Sequence, residues 1–519
     1  MINDELHECG QREAINRRLP IRHSSFGIQL SFVIYNFSFS LRLPHLLFLL
    51  FLLLPLSSAF AMERFPPPEL DPSTYKMPPI TTPPARAHWM EYVDVALLLG
   101  TLSLASYLVL VKRLRKWIFW LMLFSLLYFG FVRQGCVCPI GSIQDVTLAL
   151  FNPGYAVPIS VALFFLLPLI FTLFFGRGFC AGVCPLGAAQ DVMLWKPVKV
   201  KPWLEQALGL VPFIYLGLAV LFAATSSAFL ICEWDPFVAF FRRGGTITML
   251  LIGAGFLGLG MFVGRPYCRF LCPYGAILSL LSRISKWNVV LTPEDCIQCQ
   301  ICEMACPYGA IAQPSETEQK AAAALAGCEA PHPALSPSNG ERGTAPPAFV
   351  GKRAFVMALC LLPVLVFAGG WIGGRLSVPL SKMHRTVQLA ERIAAEDAGK
   401  VTPPANTQAS AGALDKKEKN KELTSKAFRQ TGNSTTELFA QALQKRGEFV
   451  TGGWLLGAFV GLVIGGKLVS LSRPQKRSIY EPDRALCLAC GRCYSYCPKE
   501  LVKVKRAQKD KINALATAK

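Results

Sequence analysis

The chain has 519 residues, of which 52% are hydrophobic and only 17% charged. Soluble domains carry about 25% charged residues, so a wholly soluble protein is excluded and much of the chain belongs in lipid. The net charge is +20, from 53 Lys and Arg against 33 Asp and Glu. No nucleic-acid recognition motif accompanies it, and the cations flank apolar runs as they do in the cytoplasmic loops of membrane proteins, so nucleic acid is not an expected partner.

In chain order, residues 1–61 form an N-terminal extension with a signal-like segment. An apolar stretch from Leu43 to Phe60 follows Arg42 and ends in Ala59-Phe60-Ala61, the form of a cleavable leader; an uncleaved anchor is the alternative. Cys9 is expected to be inert. Residues 62–92 are Pro-rich (Pro66-Pro67-Pro68, Pro78-Pro79, Pro83-Pro84) and read as an extended outer-side linker. Seven apolar runs follow, each near the ~20 residues a bilayer requires: about 93–111, 117–132, 157–175, 207–231, 246–263, 353–374 and 452–471.

The basic run Lys112-Arg113-Leu114-Arg115-Lys116 places the first inter-span loop in the cytoplasm. Alternation then puts the loop with Lys196, Lys199 and Lys201, residues 264–352 and the tail after Lys467 on the same side. Cys180, Cys184, Cys268 and Cys272 are therefore expected at the cytoplasmic face, and Cys136, Cys138 and Cys232 at the outer one. Residues 93–286 are accordingly a five-span membrane domain. Residues 313–352 are a low-complexity insertion in which Cys328 is a spare, and 375–450 form an outer-side segment with two helix-like runs, Arg385–Ala398 and Thr436–Lys445, around a Pro/Ala/Ser linker. Gly461–Leu468 nearly fits a phosphate-binding loop but has Leu where Ser or Thr should hold Mg²⁺, and it follows no strand; its small residues read as helix packing. Cys360, alone inside a span, is expected to be a small core residue.

Two stretches organise the chain. Residues 287–312 contain Cys296, Cys299, Cys302 and Cys306-Pro307, and residues 478–507 contain Cys487, Cys490, Cys493 and Cys497-Pro498. Both read C-x2-C-x2-C-x3-C-P, the [4Fe–4S] spacing of bacterial ferredoxins, in which the fourth cysteine ligates the other cluster of a two-cluster protein. Zinc sites usually close in a C-x2-C…C-x2-C pattern instead. One expected cluster uses Cys296, Cys299, Cys302 and Cys497, and the other uses Cys487, Cys490, Cys493 and Cys306. The fold class is therefore mainly α: a polytopic helical membrane protein with a cytoplasmic two-[4Fe–4S] ferredoxin module split around the last two spans.

A second pattern, C-P-x-G-[SA], recurs at span ends. It appears as Cys138-Pro139-Ile140-Gly141-Ser142-Ile143-Gln144-Asp145-Val146, preceded by Cys136, and again as Cys184-Pro185-Leu186-Gly187-Ala188-Ala189-Gln190-Asp191-Val192, preceded by Cys180. A third copy is Cys268…Cys272-Pro273-Tyr274-Gly275-Ala276. Pro at the first helical position leaves each preceding Cys among helix N-terminal amides that stabilise a thiolate. Packed turns inherited by duplication are one reading. A redox or metal site built from Cys180, Cys184, Cys268 and Cys272 is the other, and the residue types favour it. Cys136, Cys138 and Cys232 are candidate outer-face thiols, open to either a structural disulfide or a redox role. None of the six histidines lies in a mature span and there is no C-x-x-C-H, so haem is not expected.

These turns and the split motifs resemble the NosR/NirI/NapH-type polytopic membrane polyferredoxins. The likeness covers roughly residues 93–311 and 452–503. It implies a bacterial inner-membrane protein that passes electrons between the quinone pool, or cytoplasmic donors, and a periplasmic respiratory reductase of anaerobic respiration, or that supports the reductase's maturation. A quinol dehydrogenase subunit is one such role, and a quinone one further cofactor. The flavin-bearing periplasmic domain of some members has no counterpart here beyond residues 63–90, and no covalent FMN is expected. A redox assembly factor that reduces or delivers copper is the alternative function.

Overall fold

A computed structural model describes residues 88–135, 138–242, 247–291, 299–314, 351–400, 424–432, 434–473, 477 and 479–498. The signal-like segment, the Pro-rich linker, the low-complexity insertion, Cys9, Cys136, Cys296 and Cys328 lie outside the described residues.

The molecule is mainly helical. The first part runs α1 (His88–Tyr107), α2 (Arg115–Ser125), α3 (Pro139–Phe151), α4 (Ile159–Phe175), α5 (Gly178–Gly182), α6 (Pro185–Met193), α7 (Pro202–Leu208) and α8 (Val211–Ala224). It continues through α9 (Leu230–Trp234), α10 (Pro236–Arg242), α11 (Ile247–Gly260), α12 (Pro266–Phe270) and α13 (Pro273–Arg283). The second part holds α14 (Ile301–Met304), β1 (Ile311–Ala312), α15 (Lys352–Ser381), α16 (Arg385–Asp397), α17 (Thr435–Ser472), β2 (Glu481–Pro482) and α18 (Arg492–Tyr496).

All seven apolar runs become helices, but their lengths differ. Five helical stretches are long and apolar enough to cross a membrane: Trp89–Lys112, Arg115–Val132, Pro202–Ala224, Lys352–Ser381 and Thr435–Ser472. The other two, Ile159–Phe175 and Ile247–Gly260, are shorter apolar helices. The run expected at 207–231 ends at Ala224, and Ile231 belongs to the short helix α9.

Short helices that start at proline set the site. Cys138, Cys184 and Cys272 each sit extended just before Pro139, Pro185 and Pro273 (ψ 112°, 116° and 113°), because the proline ring disfavours helical backbone in the residue ahead of it. Asp235 takes the same place before Pro236 (ψ 110°).

The last two long helices pair along their lengths through glycines. A Cβ on Gly457 would lie 2.0 Å from the Gly369 carbonyl oxygen, and one on Gly373 2.0 Å from that of Gly453. Only glycine permits this approach, the usual device of packed membrane helices. Gly461 and Gly465 of the phosphate-loop look-alike face α15 in the same seam. At 38 residues, α17 is about 57 Å long, roughly twice the hydrocarbon thickness. Its N-terminal part buries Leu438 and Ala442 against Val387, Ala390 and Ile393 of α16. Cys360 is exposed on α15, not a core residue.

Candidate iron–sulfur sites

The two ferredoxin motifs meet although two long helices separate them in sequence. Ile311 and Ala312 pair antiparallel with Pro482 and Glu481, and Asp483 N–H extends the ladder to the Ala310 carbonyl at 2.8 Å. This pairing brings Cys306, Cys487, Cys490 and Cys493 to the wall of one cavity of about 20 Å³, with Tyr308 and Arg492 beside them. Three of these cysteines come from the second motif and the fourth from the first.

The loops also match. The residue after the second cysteine of each motif is left-handed, Gln300 at φ 61° and Gly491 at φ 70°, and each opens a short helix, α14 and α18, that packs on the other. Cys299 is exposed, while Cys302 and Cys497 are half-buried at these two helices. Burial pushes the Cys487 thiol up to about 12. An uncompensated thiolate is costly there, and iron that takes the proton's place removes the cost. The residues fit an iron–sulfur cluster.

The membrane-domain turns form a second set. Cys180, Cys184, Cys268 and Cys272 are all buried. Gly275 N–H donates to Cys272 Sγ and Gln190 Nε2 to Cys268 Sγ, each at 3.3 Å. These donors favour a charged sulfur. Gly275 is needed for the turn, because a Cβ there would sit 3.1 Å from the Cys268 carbonyl oxygen. Burial raises the Cys184 and Cys272 thiols and pushes Cys268 up to about 12, although Arg265 works against the rise at Cys268. Among the described residues, no three His, Cys, Asp or Glu side chains gather as a single metal ion would require.

Asp191, closing the C-P-x-G-A-A-Q-D turn, joins the two sets. Its carboxylate is buried and accepts from Arg115 at 2.8 Å, Arg492 at 3.0 Å and the Tyr308 hydroxyl at 2.7 Å; Arg265 lies 3.5 Å away. Burial alone would raise its pKa, but Arg492, Arg265 and Arg115 outweigh it and hold the carboxyl well below the usual range. Arg115 also donates to the Cys490 carbonyl at 3.0 Å, and Arg265 donates to the Cys180 carbonyl. Arg177 donates to the Ala485 carbonyl at 2.8 Å. The arginines thus tie one cysteine set to the other.

Of the cysteines expected at the outer face, Cys138 sits close to the second set. Cys138 and Cys184 line one cavity of about 20 Å³ together with Asp235, Phe179, Phe237 and Phe241. Cys232 is exposed, and its sulfur lies 3.6 Å from where a Cβ on Gly141 would be. A further buried ion pair, at the ends of two long apolar helices, escapes motif reading. Asp94 in α1 is ion-paired with Arg133 at 2.6 Å and accepts from the Tyr128 hydroxyl at 2.7 Å. Its sequence signal is an acidic residue inside an apolar run.

Comparison with known proteins agrees with this chemistry. A 4Fe-4S binding domain model matches residues 157–210 and 246–291, and the cysteines of those segments are Cys180, Cys184, Cys268 and Cys272. A second 4Fe-4S binding domain model matches residues 289–312. An uncharacterized protein of Methanocaldococcus jannaschii is 32% identical over 91 residues, 18% of this chain and 38% of that protein. YccM of Escherichia coli, whose name proposes electron transport, is 36% identical over 63 residues, 12% of this chain and 17% of its own. Another uncharacterized Methanocaldococcus jannaschii protein is 38% identical over 60 residues, 12% of this chain and 24% of its own. The matches thus span well under half the length of each relative. No solved structure matches. The domains and the electron-transport relative mark the chain as an iron–sulfur electron-transfer protein, and its long apolar helices mark it as a membrane protein.

Proposed function

We propose that the protein carries electrons between the quinone pool, or a cytoplasmic donor, and a periplasmic respiratory reductase, with the ferredoxin module on the cytoplasmic side of a bacterial inner membrane. In this reading Cys296, Cys299, Cys302 and Cys497 hold one [4Fe–4S] cluster and Cys306, Cys487, Cys490 and Cys493 another. Cys180, Cys184, Cys268 and Cys272 hold a further iron–sulfur site inside the membrane domain. The observation that carries the reading is the Asp191 junction, which fixes the membrane turn against the second ferredoxin motif through Arg492 and Arg115. Electron transfer needs redox groups held at fixed separation, and a buried, fully charged junction supplies that rigidity.

The test is quinol-dependent cluster reduction, followed by visible absorbance and EPR in protein reconstituted into liposomes. Reduction by a quinol that disappears in Cys184→Ser supports the route. Clusters that dithionite reduces but no quinol or cytoplasmic donor does would refute it. Stoichiometric copper lost on replacing Cys180 and Cys184 would point to the metal-delivery role instead.

A further inference from the structure

The Cys-Pro turns are arranged as two related halves. In one half, Gln190 Oε1 accepts from the backbone N–H of Tyr267, the residue before Cys268, at 3.0 Å. In the other, Gln144 Oε1 accepts from the N–H of Ile231, the residue before Cys232, also at 3.0 Å. Gln144 and Gln190 hold the same place in their turns, six residues after Cys138 and Cys184. Cys232 and Cys268 are each the third residue of a five-residue helix, α9 and α12. A capping residue and a proline-led helix follow each short helix, directly after α9 and one residue later, past Leu271, after α12. The cap is Cys272 in one half, its Sγ accepting from Gly275 N–H. It is Asp235 in the other, its Oδ1 accepting from Phe237 N–H at 3.0 Å. Cys138, Cys232 and Asp235 therefore correspond to Cys184, Cys268 and Cys272.

The halves also differ at one buried donor. Gln190 Nε2 donates to Cys268 Sγ at 3.3 Å and to the Leu186 carbonyl at 3.0 Å. Gln144 is only 1% exposed, yet its Nε2 has no hydrogen-bond partner. Its Oε1 is fixed on the residue beside Cys232, so the donor is held in the Cys232 region and left unspent. Buried donors are rarely left so. Asp235 is likewise buried, at 3% exposure, and among the described residues it forms no ion pair. Among the described residues, a buried carboxylate without a cation and a buried amide nitrogen without an acceptor, beside the neighbouring thiols Cys138 and Cys232, form a donor set lacking its positive centre.

We infer that Cys138, Cys232 and Asp235 hold a further iron–sulfur cluster, the counterpart of the one at Cys180, Cys184, Cys268 and Cys272, with Gln144 Nε2 donating to it. A carboxylate takes the place of one thiolate. The cavity between Cys138 and Cys184 separates the two sites and matches in volume the one between the ferredoxin cysteines. The inference rests on reading the Cys180–Cys272 set as an iron–sulfur site, and the test keeps the two apart.

Full-length protein is purified anaerobically in detergent, reconstituted with ferrous iron and sulfide, and assayed for iron, acid-labile sulfide and dithionite-reduced EPR. Wild type is compared with Cys232→Ser, Asp235→Ala, Asp235→Cys and Cys184→Ser, with Cys360→Ser as control. Cys232→Ser and Asp235→Ala should each lose one cluster's complement of iron and sulfide and keep the ferredoxin signals. Asp235→Cys should keep the iron and change the EPR line shape, a result that a purely structural role would not give. Unchanged iron and EPR in Cys232→Ser and Asp235→Ala overturn the inference, as does a Cys138–Cys232 disulfide found by peptide mapping of the anaerobic protein. Loss of every cluster in all Asp235 variants, Asp235→Cys included, also overturns it, since the residue then serves folding. Loss in Cys184→Ser alone overturns this inference and leaves the neighbouring site standing; loss in neither variant removes both.

Discussion

Arg492 and Asp191 are 301 positions apart in sequence and 3.0 Å apart in space. Arg492 lies between Cys490 and Cys493, and Asp191 ends the turn that begins at Cys184. This contact makes the membrane domain and the ferredoxin module one body instead of two tethered ones.

Replacing Asp191 should therefore be expensive. Arg265 is fully buried beside it, and Arg115 and Arg492 lean on the same carboxylate. Removing one partner of a buried ionic group costs about 3–5 kcal/mol, because the remaining charges lose their compensation. Asp191→Ala should lower the unfolding temperature in detergent and reduce the iron retained on purification. Wild-type stability and iron content in this variant would show that the junction contributes little.

The glycine seam gives a paired prediction. Gly457→Ala places a methyl against the Gly369 carbonyl, where a Cβ would be 2.0 Å away. Overpacking of this kind costs typically 1–3 kcal/mol. Gly466 has nothing within 4 Å of its added Cβ, so Gly466→Ala should be neutral or stabilising by about 1 kcal/mol, from helix propensity. Thermal unfolding of the two variants side by side distinguishes a packing effect from a general intolerance of substitution in α17.

The helical unit beyond the long helices should be acid-sensitive. Burial would raise the Glu396 carboxyl, but hydrogen bonds from Arg392, Ser425 and Arg429 outweigh it and lower its pKa below the ordinary value. A depressed folded-state pKa contributes stability above the unfolded value, and that contribution disappears as pH falls through the folded one. Amide exchange in α16 and in residues 424–432 should quicken on acidification below the ordinary glutamate range. Glu396→Gln should flatten that dependence, and an unchanged pH profile in the variant would count against the role.

Much of this was readable before the structure. The seven apolar runs gave seven helices, and the 2-2-3 cysteine spacing named the cofactor class. Other features were hidden for physical reasons. The helix-like run at Thr436–Lys445 and the apolar run at 452–471 read in sequence as separate elements, yet they form one helix from Thr435 to Ser472, with Leu438, Ala442 and Phe449 on its buried stripe. Charge asymmetry assigned Cys138 and Cys184 to opposite faces, yet they line one cavity; a sidedness rule reports loops and says nothing of turns that enter the helix bundle. The repeated Gln-Asp-Val was visible after both Cys138 and Cys184. Its meaning depended on partners such as Ile231, Tyr267 and Arg492, which only the tertiary fold supplies.

The most direct test of the central claim, a ferredoxin completed across two membrane helices, is EPR of the reduced full-length protein bearing Cys306→Ser, Cys493→Ser or Cys299→Ser. Cys306→Ser and Cys493→Ser should abolish the same cluster signal, and Cys299→Ser a different one. If Cys306→Ser instead removes the signal lost in Cys299→Ser and spares the one lost in Cys493→Ser, each motif closes its own cluster and the split ferredoxin is wrong.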